Sequence, residues 1–507
     1  MVLGLGVHAF HSTPKRQGLP LVPLLLGALK ASTALEVART TARIALTFIP
    51  LIMIINRKSH RYLQHAAIHG TEVSEEKKAH LLEGQRKRTI AFNVLLFVPW
   101  FLFCLTILAS LERTPLTGRW RLILLSPDEE DQIATQLAGP GWYQAVGEIL
   151  AAEGPTTIIP TSDWRYQWVL DTLRKLESTI PILQREALLE PVWLEKGADG
   201  RPLPPPAAYP LRPRPRGADH LRWMWCEHYV APHAVLGAPY SLVLVDKPEA
   251  ANAFSYGFGP QGGGGIVVYS GFIDDILAKT CAVAPPAPPP KETSWWSSLF
   301  GGLSPPPAPA RPAPTAAQTS ELAILLAHEL AHLILTHHLE TLSSATIIVP
   351  GIMSIVSDTI RTFLFPITAL FGPFVNDAVA HLGKLGAGEV SKLGEYCTSA
   401  HQEIEADVVS ARLLAHAGFD ARAAVCFWES RINAPMTECA TVHQPASDPN
   451  LTRQIMGTTH PLHDVRIRAL KDELVRWELE RRVTIAKEVK LAGDPRALTT
   501  KTSLLHV

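Results

Sequence analysis

From Thr89 to Leu111 the chain carries no charged residue, and an apolar run of that length restricts its backbone to one conformation. In lipid every amide must find its partner within its own segment, so about 20 consecutive apolar residues read as a transmembrane helix. Arg86, Lys87 and Arg88 precede the run, and Arg113, Arg119 and Arg121 follow it. The slight basic excess before it turns the amino terminus towards the negative side of a membrane and places the larger C-terminal part across it. Ile44 to Asn56 is apolar too, but it is short for a span and contains Pro50. It reads as part of a leader or as an interfacial segment.

Up to residue 71 the only acid is Glu36, against Lys15, Arg16, Lys30, Arg39, Arg43, Arg57, Lys58 and Arg61. An acid-poor, basic leader with scattered Ser and Thr is the composition of an organelle transit segment. Over the whole chain 47 Lys and Arg balance 47 Asp and Glu, which argues against a nucleic-acid-binding protein. The six cysteines form no Cys-x-x-Cys pair, so neither a redox motif nor a zinc knuckle is written here.

The chemistry concentrates in Ala323-Ile-Leu-Leu-Ala-His328-Glu329-Leu-Ala-His332-Leu-Ile-Leu-Thr-His337. On a helix, His328 and His332 share a face and can turn two ring nitrogens to one ion, while Glu329 stands beside them as a base. A zinc ion there would lower the pKa of a water from 15.7 to about 7, within reach of a glutamate base. The flanking Leu325, Leu326, Leu330, Leu333 and Ile334 bury the helix, and ionisable groups in such a place are costly unless paired or metal-bound.

A catalytic zinc needs a third protein ligand and an open position. His338 lies six residues after His332, but the glycine that would bend the chain back to it is replaced by Leu335. His337 and His338 are therefore expected at the helix end, where cations suit the dipole. Glu403 and Asp407 stand one turn apart in Glu403-Ile-Glu-Ala-Asp407, a spacing that lets Glu403 bind the metal while Asp407 orients a ligand histidine. Glu405 points elsewhere on that helix. In Thr459-His460-Pro461, His460 is a candidate donor to an oxyanion, and Arg466 is expected either to hold a substrate carboxylate or to brace the site through an ion pair.

A branched run, Ser241 to Asp246, leads to Asn252-Ala253-Phe254 and, past a glycine-rich turn, to Ile266 through Gly271. This reads as a hairpin. Asn252, Ala253 and Phe254 are candidate substrate contacts, because an extended peptide can add to an open sheet edge, and a plain core sheet has the same pattern. The expected organisation is a leader and basic connector over 1–88, a transmembrane helix over 89–111 and the first part of a peptidase domain over 112–281. A Pro-rich insertion at 282–315, a zinc core at 316–490 and a tail at 491–507 complete it. Thr341 to Ser357 and Thr362 to Asn376 are apolar but broken by Pro350, Asp358, Arg361 and Pro366, which favours core or interfacial segments over spans.

Taken together, His328-Glu-Leu-Ala-His332 with His337, Glu403-Ile-Glu-Ala-Asp407 and Thr459-His-Pro followed by Arg466 resemble the peptidase family that contains HtpX and the CAAX prenyl proteases. Within it the likeness is to the mitochondrial inner-membrane branch whose activity overlaps the matrix AAA protease. It extends to Val245 through Phe254 and to Leu111-Glu-Arg-Thr-Pro-Leu-Thr-Gly-Arg-Trp-Arg121. The resemblance implies an α+β, mainly helical, gluzincin-type domain with a small β-sheet beside the active-site helix. It also implies one Zn2+ per chain on His328, His332 and Glu403, Glu329 as base, Asp407 behind the ligands, and His460 and Arg466 acting on substrate or oxyanion. The implied setting is the mitochondrial inner membrane, with the catalytic domain in the intermembrane space. Implied too are membrane-anchored protein substrates such as a dynamin-like fusion GTPase, a quality-control role under stress, self-cleavage, homo-oligomers and no nucleic acid. Competing expectations are a multi-span prenyl-protein protease of the endoplasmic reticulum, disfavoured by a single convincing span, and an inactive peptidase-like scaffold, disfavoured by the intact base and ligands.

Overall fold

A computed structural model describes residues 32–70, 73–125, 127–152, 154–186, 192–195, 200–211, 237–279, 313–344, 352, 356–357, 359–360, 400–432 and 464–493. Two long helices, α1 (Ser32–Ile68) and α2 (Glu75–Ser110), form an antiparallel hairpin. Arg88 fastens it by donating to Asn56 Oδ1 at 2.8 Å and Ser59 Oγ at 3.1 Å. Among the described residues, α2 is the single unbent helix long and apolar enough to cross a membrane. It leaves Ile90, Val94, Phe97, Phe101 and Leu108 exposed, an outward stripe that suits lipid. The apolar Ile44 to Asn56 segment is not separate but lies within α1. The helix ends at Ser110, one residue before the end of the apolar run, because Leu111 opens β1 (Leu111–Arg113), which pairs with β2 (Trp120–Leu122).

The turn of that small hairpin requires Gly118. Its φ is +73°, and a Cβ there would lie 2.2 Å from the Tyr209 ring, closer than any side chain tolerates. Two helices follow, α3 (Pro127–Leu137) and α4 (Pro140–Ala152), then β3 (Thr157–Ile158), α5 (Trp164–Glu177) and α6 (Ile180–Arg185). Asp163 starts α5 by accepting the Arg165 amide at 2.8 Å, as an N-cap should.

A four-stranded sheet has the order β3, β4 (Ser241–Asp246), β6 (Gly264–Tyr269), β5 (Ala253–Gly257). The predicted hairpin is β5–β6, while β4 runs parallel to β6 in the middle. The central strands read as nearly continuous branched runs because both faces are covered. Val243, Val245, Val267 and Tyr269 pack on Trp142, Val146 and Ile149 of α4. The alternate residues Leu242, Leu244, Ile266 and Val268 join the core beneath the histidine helix, as a period of two requires. Helix α7 (Ser270–Lys279) leaves β6 directly.

Helix α8 (Ala316–Ile334) carries His328, Glu329 and His332 and is buried almost throughout. A capping box starts it: the Gln318 amide donates to Thr315 Oγ1 at 3.2 Å, and Gln318 Oε1 accepts the Thr315 amide at 2.8 Å. Thr336, in the left-handed region at φ +54°, ends it, and α9 (His337–Ser343) departs at 53°. Helix α10 (400–416) brings the acidic motif, and α11 (Ala423–Ile432) and α12 (Asp464–Gly493) close the core. The insertion at 282–312, His460, most of 345–399 and the tail beyond 493 lie outside the described residues.

Candidate active site

His328 and His332, one turn apart on α8, hold their Nε2 atoms 3.2 Å from each other. Glu403, from α10, completes the group, with Oε2 3.2 Å from His328 Nε2 and Oε1 3.4 Å from His332 Nε2. Four ligands around a zinc at 2.0–2.1 Å would stand about 3.3–3.4 Å apart. The two ring nitrogens, and the nearer carboxylate oxygen to each, stand 3.2–3.4 Å apart, close to that spacing. Two imidazoles and one carboxylate with a fourth side left over are also the donor chemistry of a catalytic zinc. The residues therefore fit the ion. All three are buried, as is Glu329.

Each ring nitrogen turned away from the shared point is engaged. His328 Nδ1 lies 2.9 Å from Asp407 Oδ1, which holds the proton on Nδ1 and leaves the Nε2 lone pair for a metal. Arg466 locks the carboxylates in turn, with Nε and Nη2 donating to Asp407 at 2.8 and 2.9 Å and Nη1 3.0 Å from Glu403 Oε2. These contacts are the ion pairs that the bracing role expected of Arg466 requires. Burial alone would raise the Asp407 pKa, but the charge of Arg466 and the His328 hydrogen bond outweigh it and hold it below the usual range. Trp428 covers the pair, 5.3 Å from the His328 ring and 4.9 Å from the Arg466 guanidinium.

His337 and His338 are not at the end of α8, as their position after the motif suggested. The left-handed Thr336 redirects the chain, and both start α9 instead. His337 Nδ1 lies 2.9 Å from His332 Nδ1, and its Nε2 faces Glu405 Oε2 at 3.4 Å. Glu405 points away from Glu403, as the spacing predicts, and accepts from Thr117 at 2.5 Å and Arg119 at 2.7 Å. Burial opposes its ionisation, but the bonds from His337 and Arg119 prevail and hold its pKa down to about 2. His337, Glu340 and Glu405 form a second buried donor group. It is an ion-pair site, because Arg119 donates to both Glu340 oxygens at 2.7 Å as well as to Glu405.

Strand β5 forms the open side of the sheet next to α8. The Tyr269 amide donates to Asn252 O at 3.1 Å, so that pair faces inward and, by alternation, Ala253, Ser255 and Gly257 turn their peptide groups to the outer edge of the sheet, where they are buried. His338 Nε2 donates to Ser255 O at 2.6 Å, ending the edge there. Ala253 is fully buried and Phe254 nearly so; Phe254 packs on Tyr269. Of the expected substrate contacts, Ala253 turns its peptide groups to the outer edge of the sheet but is buried there, and the Phe254 side chain belongs to the core. The sequence puts His337 at the helix end and Thr117 and Arg119 in the stretch after the apolar run, but it assigns none of them, nor Trp428, a role at the site.

A helix with two histidine donors, a carboxylate from a second helix and an orienting aspartate define a metallopeptidase site. Residues 225–474 match the model of peptidase family M48, a family of metallopeptidases that depend on zinc, and the match supports a metallopeptidase. No curated protein and no solved structure matches the chain.

Proposed function

We propose that this chain is a membrane-anchored zinc endopeptidase of the gluzincin type. The observation that supports this best is the convergence of His328 Nε2, His332 Nε2 and Glu403 within 3.2–3.4 Å beside Glu329. Bound zinc would polarise a water and the scissile carbonyl. Glu329 takes the proton of the attacking water and returns it to the leaving amine, a general base and then a general acid. Asp407 and Arg466 hold His328 and Glu403 in place. An extended substrate is aligned by pairing with the peptide groups of Ala253 on the outer edge of β5, an edge buried here, with Asn252 and Phe254 flanking that contact. His460 is the proposed donor to the oxyanion.

Helix α2 supports a membrane setting, and the acid-poor leader supports the mitochondrial inner membrane with the catalytic domain in the intermembrane space. Membrane-anchored substrates, a quality-control role and homo-oligomers follow from the family resemblance. Metal analysis with a peptide-cleavage assay on wild type and Glu329→Gln tests the chemistry. The expected result is one zinc in each and turnover in wild type alone; a variant that cleaves normally overturns the mechanism. Protease accessibility of mitochondria and mitoplasts tests the topology, with digestion of the C-terminal part expected only after the outer membrane is opened. Protection in both would exclude the intermembrane space.

A further inference from the structure

The two histidines of α8 are braced differently. His328 rests directly on Asp407, which Arg466 clamps. The outer nitrogen of His332, Nδ1, lies 2.9 Å from Nδ1 of another histidine, His337. With Nε2 turned to the metal, neutral His332 carries its proton on Nδ1 and His337 Nδ1 must accept it. The proton of His337 is then on Nε2, facing Glu405 Oε2 at 3.4 Å. Glu405 is fixed by Thr117 and Arg119 at 2.5 and 2.7 Å, and Arg119 is itself fixed by Glu340. The path from Arg119 to His332 runs through hydrogen bonds and one 3.4 Å charge contact, that of His337 Nε2 with Glu405, and Glu340 and Glu405 are buried along it.

We infer that Arg119 is a positioning residue for the metal ligand His332, acting through Glu405 and His337. The inference rests on the zinc reading above. A guanidinium suits the task because its planar fork serves two carboxylates in fixed directions, which an ammonium cannot do. Thr117 and Arg119 sit between β1 and β2, and β1 begins at the residue after α2 ends. The orientation of one zinc ligand is thereby tied to the root of the membrane-type helix. Arg121 strengthens the tie by donating to the Leu335 carbonyl at the end of α8.

The test is the zinc affinity of the purified full chain, measured by competition with a chelator of known affinity. Arg119→Ala should weaken zinc about 10–100-fold, the usual effect of losing a group behind a ligand, and Arg119→Lys should recover part of it. Arg113→Ala, in the same hairpin but bonded to Tyr209 and Gly118, should leave affinity unchanged. Arg119→Ala combined with Glu405→Gln should bind zinc no more weakly than Glu405→Gln alone, since both break one path. A merely structural arginine would lower thermal stability without that pattern. Unchanged affinity in Arg119→Ala, or additive losses in the double variant, overturns the inference. If Arg119→Ala does not fold, Thr117→Val and Glu405→Gln decide, and wild-type affinity in both overturns it equally. His332→Ala separates the two levels: if it keeps wild-type zinc, the metal reading itself fails.

Discussion

The Nδ1 of His328 lies 2.9 Å from Asp407 Oδ1, and the same carboxylate takes two hydrogen bonds from Arg466. Asp407 therefore selects the tautomer that leaves Nε2 available to a metal. Asp407→Asn keeps the shape but removes the charge that both neighbours need. The variant is expected to bind zinc about 10–100-fold more weakly, read by chelator competition. Wild-type affinity would show that His328 needs no such partner.

Glu403→Gln removes an anionic donor while keeping the volume, so two neutral imidazoles would be left to hold the ion. Metal stoichiometry after dialysis should fall well below one per chain. Retention of a full equivalent would hand the third position to another group, since Glu405 is committed to Thr117 and Arg119.

Arg466 is 3% exposed and shared between Asp407 and Glu403. Arg466→Met strands two buried carboxylates, and breaking a buried pair costs about 3–5 kcal/mol. Denaturation should register that loss in the metal-free protein. Added zinc should restore more stability to this variant than to wild type, because the ion supplies the missing positive charge; equal gains would argue that Arg466 and the metal act independently.

Much of this site is legible along the chain. The spacing His328 to His332 and Glu403 to Asp407 is helix geometry, which repeats every 3.6 residues whatever surrounds it. The central strands announce themselves because burial on both faces leaves branched apolar residues at successive positions, as in Leu242 to Val245. What sequence leaves open depends on where chain direction changes. Thr336 is an ordinary threonine until its φ of +54° turns His337 back onto His332. Arg119 stands more than 200 positions before Glu340 and Glu405, and only the folded chain places its guanidinium between them. The parallel pairing of β4 with β6 is hidden for the same reason, since an intervening β5 at the edge looks like a simple meander.

His338 titrates in a predictable direction. Burial lowers its pKa to about 4 from the ordinary 6.5, and its neutral ring donates to the Ser255 carbonyl. Between those two values the unfolded chain takes up a proton that the folded chain refuses, so folding stability falls as pH is lowered from about 6.5 to about 4. Above that window the contribution is fully present, and below it this group adds no further slope. His338→Gln retains an N–H for Ser255 but cannot titrate. Across pH 7 to 4.5 the thermal midpoint of wild type should therefore drop further than that of the variant, with other acid-sensitive groups common to both. Parallel curves would mean that His338 accepts its proton in the folded state as readily as in water, and that burial does not keep it neutral.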